Sequence, residues 1–429
     1  MRKRMFVLCL VLSAAGWERD LAAKPPSLII VSDAAGLQAA LTSENEGRRI
    51  HLLRGTYQVH APLVVPDGVI LDGEGVMLGS VLPEGFENGT ETRIVPDASA
   101  PFAGDLLTLG HGATIRALIV EDIPRRSGNV VAVHSRAPAD RVSASIERCE
   151  IVNPKANGAG PDGPLGRGLA VLTRNGSLGA APPPDEDAEV SVTLTRSIIR
   201  STAGASAIFA INFASRGDVT ITASLNRIYG SIEITGGVSR PDEVKDARLT
   251  VHSEWNEYST LGGAPVAWTI DGGSGAPVPN FVAPGTSGNV VRLTSIGDRV
   301  EGFPAGVAAT AGKRHNSTSG PTSNNVVDLR LIGLRLETEG PNAADLILHG
   351  AGADGQYAPG DDNILRVLMV GVSGSGSRQN SYANEIDAGQ ALNLGTGNRL
   401  EVLGSETSFG VLNPEIVPAP PAEFFRGRQ

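Results

Sequence analysis

From residue 142 onward the chain repeats a short unit in which apolar and small polar positions alternate. Its copies read Val142-Ser143-Ala144-Ser145-Ile146, Val190-Ser191-Val192-Thr193-Leu194, Val219-Thr220-Ile221-Thr222-Ala223 and Leu249-Thr250-Val251-His252-Ser253. Further copies start at Val291, Val327, Leu365 and Leu400, and successive starts lie 29 to 48 residues apart. Period-two patterning predicts strands with one buried face. A hairpin meander would close such strands with turns of about two to five residues. The longer intervals instead fit one coil of a solenoid, holding two or three short strands and their turns. A second register agrees with this: the eighth position of the unit reads Cys149, Ser197, Asn226 and Asn256. Small polar residues stacked at one corner can hydrogen-bond along the axis.

The N-terminal part opens differently. Asp33 is a suitable N-cap for a short helix over 34–41, with Leu37, Ala40 and Leu41 on its apolar side. Ile50-His51-Leu52-Leu53-Arg54-Gly55-Thr56-Tyr57 and Leu71-Asp72-Gly73-Glu74-Gly75 then read as strands closed by turns. With Leu37-Gln38-Ala39-Ala40-Leu41, these segments resemble the opening of the pectin-lyase-like superfamily of right-handed parallel β-helix proteins. There a short helix caps the first coil and a Pro-Gly-Thr-Tyr-like turn follows the first strand; here Arg54 stands in place of the proline. The resemblance spans roughly residues 28–413 and implies an all-β chain: a single right-handed parallel β-helix, helix-capped, of about nine to eleven coils. The superfamily holds polysaccharide lyases, galacturonidases, esterases, epimerases, tailspikes and non-enzymatic surface proteins, so the fold does not choose a reaction.

Residues 1–23 have the form of a secretory leader, with a basic start at Arg2-Lys3-Arg4 and an apolar run over 5–12. The expected organisation is a leader over 1–23, the β-helix over 24–416, and a Pro-rich, non-coil tail over 417–429. The protein is expected to be secreted or periplasmic, with no membrane insertion, since no segment reaches about 18 apolar residues. Cys9 lies in the leader, leaving Cys149 without an internal disulfide partner. Glycine, at 53 of 429 residues, and an aromatic content of only 4% fit a turn-rich fold with an aliphatic core. A formal charge of −10 argues against nucleic acid as the partner.

Candidate chemistry is sparse. Gly110-His111-Gly112 and Asp361-Asp362 resemble galacturonidase elements, but in reversed order, and His111 is read as a turn residue. Tyr229, Trp255, Tyr258 and Trp268 fall within forty residues, with His252 and Glu254 among them. Exposed aromatic rings stack on sugars, and β-elimination needs a base and a cation to stabilise developing charge. His252 is the candidate base, Glu254 a second proton-transfer group, and Arg196 or Arg227 the cation; Trp255, Tyr258, Trp268 and Tyr229 form the candidate sugar platform. Asp354, Asp361 and Asp362, on a Gly-rich stretch, are candidate Ca²⁺ ligands. No other cofactor is indicated. The expected function is to bind or cleave an extracellular polysaccharide or cell-envelope glycan, with lyase action as the enzymatic form. The alternative is a non-catalytic surface protein with a structural or adhesive role.

Overall fold

A computed structural model describes residues 27–405 apart from 125, 156–158, 161–162, 165, 174–185, 203–204, 240–242, 276–284, 315–319, 341–342, 354–359, 376–377 and 385–396. The leader, the tail and Asp354 therefore lie outside the described residues. Three long parallel sheets, here A, B and C, run side by side along the chain. Sheet A has twelve strands from Leu28–Val31 to Arg399–Ser405, and sheet B has ten from Gly55–Val59 to Ser373–Gly374. Sheet C extends from Leu63–Val65 through Ala344–Ala353 to Arg378–Asn384. Neighbouring strands in each sheet are one coil apart, which makes the chain a parallel β-helix, wound in the right-handed sense that strand twist imposes on parallel crossovers.

The alternating unit forms sheet A. Val142, Ala144 and Ile146 point inward beside Val190, Val192 and Leu194, and then Val219, Ile221 and Ala223, in unbroken register. One aliphatic core runs through the coils from Val31 to Val402. The N-terminal end is closed by the helix Ala34–Ala40, whose first turn is capped by the Asp33 carboxylate accepting from the Gly36 N–H at 2.7 Å. Leu37 and Ala40 of this helix are buried over the first coil.

Five consecutive strands of sheet A, from Arg141–Glu147 to Val290–Ile296, turn sharply into sheet B through one left-handed residue followed by an inward thiol, hydroxyl, amide or carboxyl. The left-handed positions are Arg148, Arg196, Leu225, Trp255 and Gly297. The residues after them form a buried ladder: Cys149 N–H donates to Ser197 Oγ, Ser197 N–H to Asn226 Oδ1, Asn226 N–H to Asn256 Oδ1, and Asn256 N–H to Asp298 Oδ1. The stacked polar position read from the sequence is thus a ladder. Two members not anticipated are Asp298 at its end and a twin ladder at the corner entering sheet A. In that second ladder, the side chain of each of Asn325, Asn363 and Asn398 accepts from the backbone and side chain of the asparagine one coil earlier, at 2.9 to 3.1 Å.

These ladders meet the requirement that buried polar groups be paired. Asn256 accepts from the N–H and Nδ2 of Asn226 and donates to Ala223 O and Ser253 Oγ, all without solvent. Asn256→Ala is expected to cost about 3 kcal/mol, because several buried groups lose their partner together; chemical denaturation of the two proteins measures it. Asp298 is the exception in charge. Burial pushes its carboxyl up to about 6, although Ser295 Oγ at 2.6 Å and the Asn256 N–H hold it down. Its native form therefore binds a proton more tightly than the unfolded chain, where a carboxyl titrates near roughly 3.9. The stability it contributes is complete below about pH 4 and is lost as pH rises through about 6. Asp298→Asn keeps the acceptor of the ladder and removes that loss. The variant should be more stable than the parent at pH 8, on the order of 2 kcal/mol, with the gap closing by pH 4 in thermal melts.

Candidate functional site

The residues singled out in the sequence land on different faces. His252 and Glu254 are exposed on the outer side of sheet A, two residues apart, and His252 stands between Thr222 and Thr294 as the register predicts. Arg196 is at the A–B corner two coils earlier, about 10 Å away along the axis and a similar distance across it by strand geometry. Arg227 belongs to sheet B and pairs with Glu257 at 3.1 Å. No cation therefore sits within reach of His252 among these residues, and the proposed base and charge stabiliser are not brought together.

The aromatic group also divides. Trp255 is 59% exposed, whereas Tyr258 and Trp268 are each 1% exposed and meet edge to face in the core at 5.0 Å. Tyr258 and Trp268 pack the interior and cannot stack on a sugar. Tyr258 also bonds Ser253 Oγ at 2.7 Å. Tyr229 lies under the guanidinium of Arg200 on sheet B, 4.5 Å from its ring centre, with Arg200 held by Glu150 at 2.7 Å. Asp361 and Asp362 are exposed residues of the corner entering sheet A, where Asp362 takes the left-handed conformation just before Asn363 of the ladder. Among the described residues no group of three or more His, Cys, Asp or Glu could hold a metal ion. His111 is in a turn, its N–H bonded to Asp67 at 2.8 Å and its carbonyl accepting from Gly68.

A different cluster sits on the outer side of sheet C. Ile232, Ile234, Trp268 and Ile270 point into the core, so the residues between them point outward. Glu233 is flanked by Phe209 and Thr269, and Asp271 by Thr235 and Thr310, with His349 one coil further on. Glu233 and Asp271 thus face the same way on adjacent strands, their Cα atoms about 8 Å apart diagonally by strand geometry. The earlier coils fill this face with a small apolar cluster of Ala170, Leu172, Phe209, Ile211, Phe213 and Val238. The later ones fill it with polar residues that stay buried: Thr235, Asp271, Thr310 and His349.

The electrostatics follow from this setting. Burial raises the Glu233 carboxyl above its ordinary value, Asp271 adds to the rise, and Arg167 and Ser206 oppose it. Arg167 approaches Glu233 at 3.8 Å while lying over the Phe209 ring at 5.0 Å, and Ser206 Oγ is 3.3 Å from Glu233 Oε2. Yet 35% of the Glu233 side-chain surface remains accessible, so the carboxyl is partly covered rather than sealed in the core, and this partly covered strip of sheet C is here called the crevice. Burial, with Lys313 nearby, lowers His349 to about 4, leaving it neutral at pH 7.

No protein-family model and no curated protein matches this chain. Among solved structures it is similar to the tailspike protein of Acinetobacter baumannii phage AM24, with TM-score 0.36 and 12% identity, covering 87% of this chain and 51% of that one. It is also similar to PfbA, a surface adhesin of Streptococcus pneumoniae, with TM-score 0.35 and 11% identity over 88% and 87% of the two chains. A third is the catalytic unit of a GH87 α-1,3-glucanase from Streptomyces thermodiastaticus, with TM-score 0.31 and 10% identity over 88% and 66%. The chain spans about half the length of the tailspike and about two thirds of the glucanase unit. At these identities no residue role passes from one chain to another.

The crevice was missed in the sequence because its residues come from segments with no shared motif. Ile232-Glu233-Ile234 and Trp268-Thr269-Ile270-Asp271 are separated by a coil of unequal loops. The available signal was a carboxylate at an outward position inside an apolar strand, repeated one coil later.

Proposed function

We propose that this chain is an exported glycan-processing protein whose site is the sheet C crevice, acting on the glycosidic bonds of an extracellular polysaccharide. The observation that carries this reading is the pair Glu233 and Asp271: two carboxyls facing one crevice, the first raised by burial and by the charge of the second. Glycoside hydrolysis needs such a pair, one protonated and one ionised at working pH. Glu233 acts as general acid and gives its proton to the departing sugar oxygen. Asp271 either activates the attacking water or adds to the anomeric carbon, a choice that the stereochemistry of the product reports. Arg167 and Lys313 supply positive charge at the two ends of the pair, and Thr310 supplies a hydroxyl.

A second reading rests on His349. A neutral imidazole beside Lys313 suits the base and cation of β-elimination on a uronate chain. The lyase chemistry expected from the sequence then moves from His252 to sheet C.

One assay separates these readings: incubation with neutral and uronic-acid polymers, following both reducing ends and the absorbance of an unsaturated product. Hydrolysis yields reducing ends alone, and Glu233→Gln should lower kcat by about 10²- to 10⁴-fold while leaving polymer binding in place. The raised Glu233 carboxyl should place the alkaline limb of the activity profile above the ordinary carboxylate range, and the Gln variant should lose that limb. Unsaturated product abolished by His349→Ala supports elimination instead. Binding with neither product assigns the chain to the non-catalytic alternative. His252→Ala, on another face, should leave every readout unchanged.

A further inference from the structure

The A–B corner carries a groove of about 680 Å³, separate from the crevice. Its floor is built from three successive corners: Leu225, Trp255 with Asn256 and Glu257, and Ile296 with Gly297. Its far wall is Val81 and Leu82, at the tip of a hairpin formed by Met77–Leu78 and Gly85–Phe86 that leaves the early coils and reaches along the corner. Its rim holds Arg299 and Arg335, which are opposite one another on sheet B. The volume lies within the range of sites that take a ligand the size of a few sugar residues, roughly 300 to 1,000 Å³.

Trp255 dominates this groove, and its placement is unusual for its size. Every corner of this row demands a left-handed backbone, which is costly for a bulky side chain. The three later coils use Gly297, Gly333 and Gly371 there, but this coil puts an indole at φ 56°. Gly297 makes room for it: a Cβ there would lie 2.5 Å from the indole ring. The ring is thereby seated on backbone, and Gly333 keeps the next corner bare as well. More than half of the Trp255 surface faces water. Beside it, Arg299 is neutralised by Glu301 and Glu337, both at 2.9 Å, while Arg335 is exposed, in Coulombic reach of Glu337 but in no ion pair among the described residues.

We propose that this corner is a second glycan-binding surface, which grips an anionic polysaccharide with the Trp255 indole as stacking platform and Arg335 as counter-charge to a uronate carboxylate. A fixed, exposed aromatic face takes the apolar side of a pyranose ring, and a guanidinium takes a carboxylate through paired hydrogen bonds. The groove holds the polymer away from the crevice, so its function does not depend on whether the crevice cuts or only binds.

The test uses intrinsic fluorescence. Trp17 falls in the leader and Trp268 is buried, which makes Trp255 the reporter of this groove in the processed chain. Titration with tetragalacturonate should shift and saturate the emission, with cellotetraose giving a much weaker response. In calorimetry, Arg335→Gln and Trp255→Gly should each weaken tetragalacturonate binding by about tenfold. Glycine suits the left-handed corner, as the later coils show, so loss of folding does not confound the second variant. Glu233→Gln should leave the fluorescence titration intact, which keeps failure of the crevice reading distinguishable from failure here. The proposal is overturned if the emission is unmoved by either tetrasaccharide to millimolar concentration, or if Trp255→Gly binds as the parent does. It is equally overturned if sedimentation shows a dimer that Trp255→Gly dissociates, since the groove then belongs to a second copy of the chain.

Discussion

The structure depends on satisfying backbone amides where the chain turns without water. Within the sheets, parallel pairing takes care of this by itself. At the corners over which the ladders run, the amide next to the left-handed residue points along the axis with no strand opposite it. The ladders of Ser197, Asn226, Asn256 and Asp298 on one side, and of Asn289, Asn325, Asn363 and Asn398 on the other, supply the missing acceptors. The aliphatic core gives the driving force, but these side chains fix where each turn falls, and therefore which residues point outward on each face.

That registration explains how function can arise on a scaffold with no recognisable motif. On sheet A the outward positions are largely hydroxyls and charges, half-buried or exposed. On sheet C the same alternation presents residues to a largely covered face, where burial raises Glu233 as it also raises Asp218 and Asp328 on sheet A. The chemistry of a position is set by what packs around it as much as by its residue type. His252 illustrates the point from the other side: it is in the expected register but on an open surface, apart from Arg196 and Arg227.

The fold was legible because period two and a coil-length interval survive any variation in loop length. Cys149, Ser197, Asn226 and Asn256 could be recognised as a stack for the same reason. The second ladder left an equally regular trace, an asparagine immediately before Val290, Val326, Ile364 and Arg399. Side-chain direction was less legible near corners. Unbroken alternation from Val251 and Ser253 would send Trp255 inward and Tyr258 outward, and the left-handed turn at Trp255 reverses both. Glu233 and Asp271 were invisible as a pair, since only strand register brings them to one crevice.

The ladders also have a direction. Each asparagine serves the coil before its own: Asn256 bonds Asn226 and Ala223, and Asn363 bonds Asn325 and Thr322. A newly formed coil consequently remains unfinished until its successor arrives, and the chain matures from behind as it emerges. Trimming from the front takes from the next coil the carbonyl to which its ladder side chain donates, whereas trimming from the rear strips the acceptor from the backbone amide of whichever coil becomes last. The two ends of this molecule are thus unequal as places to cut or to append.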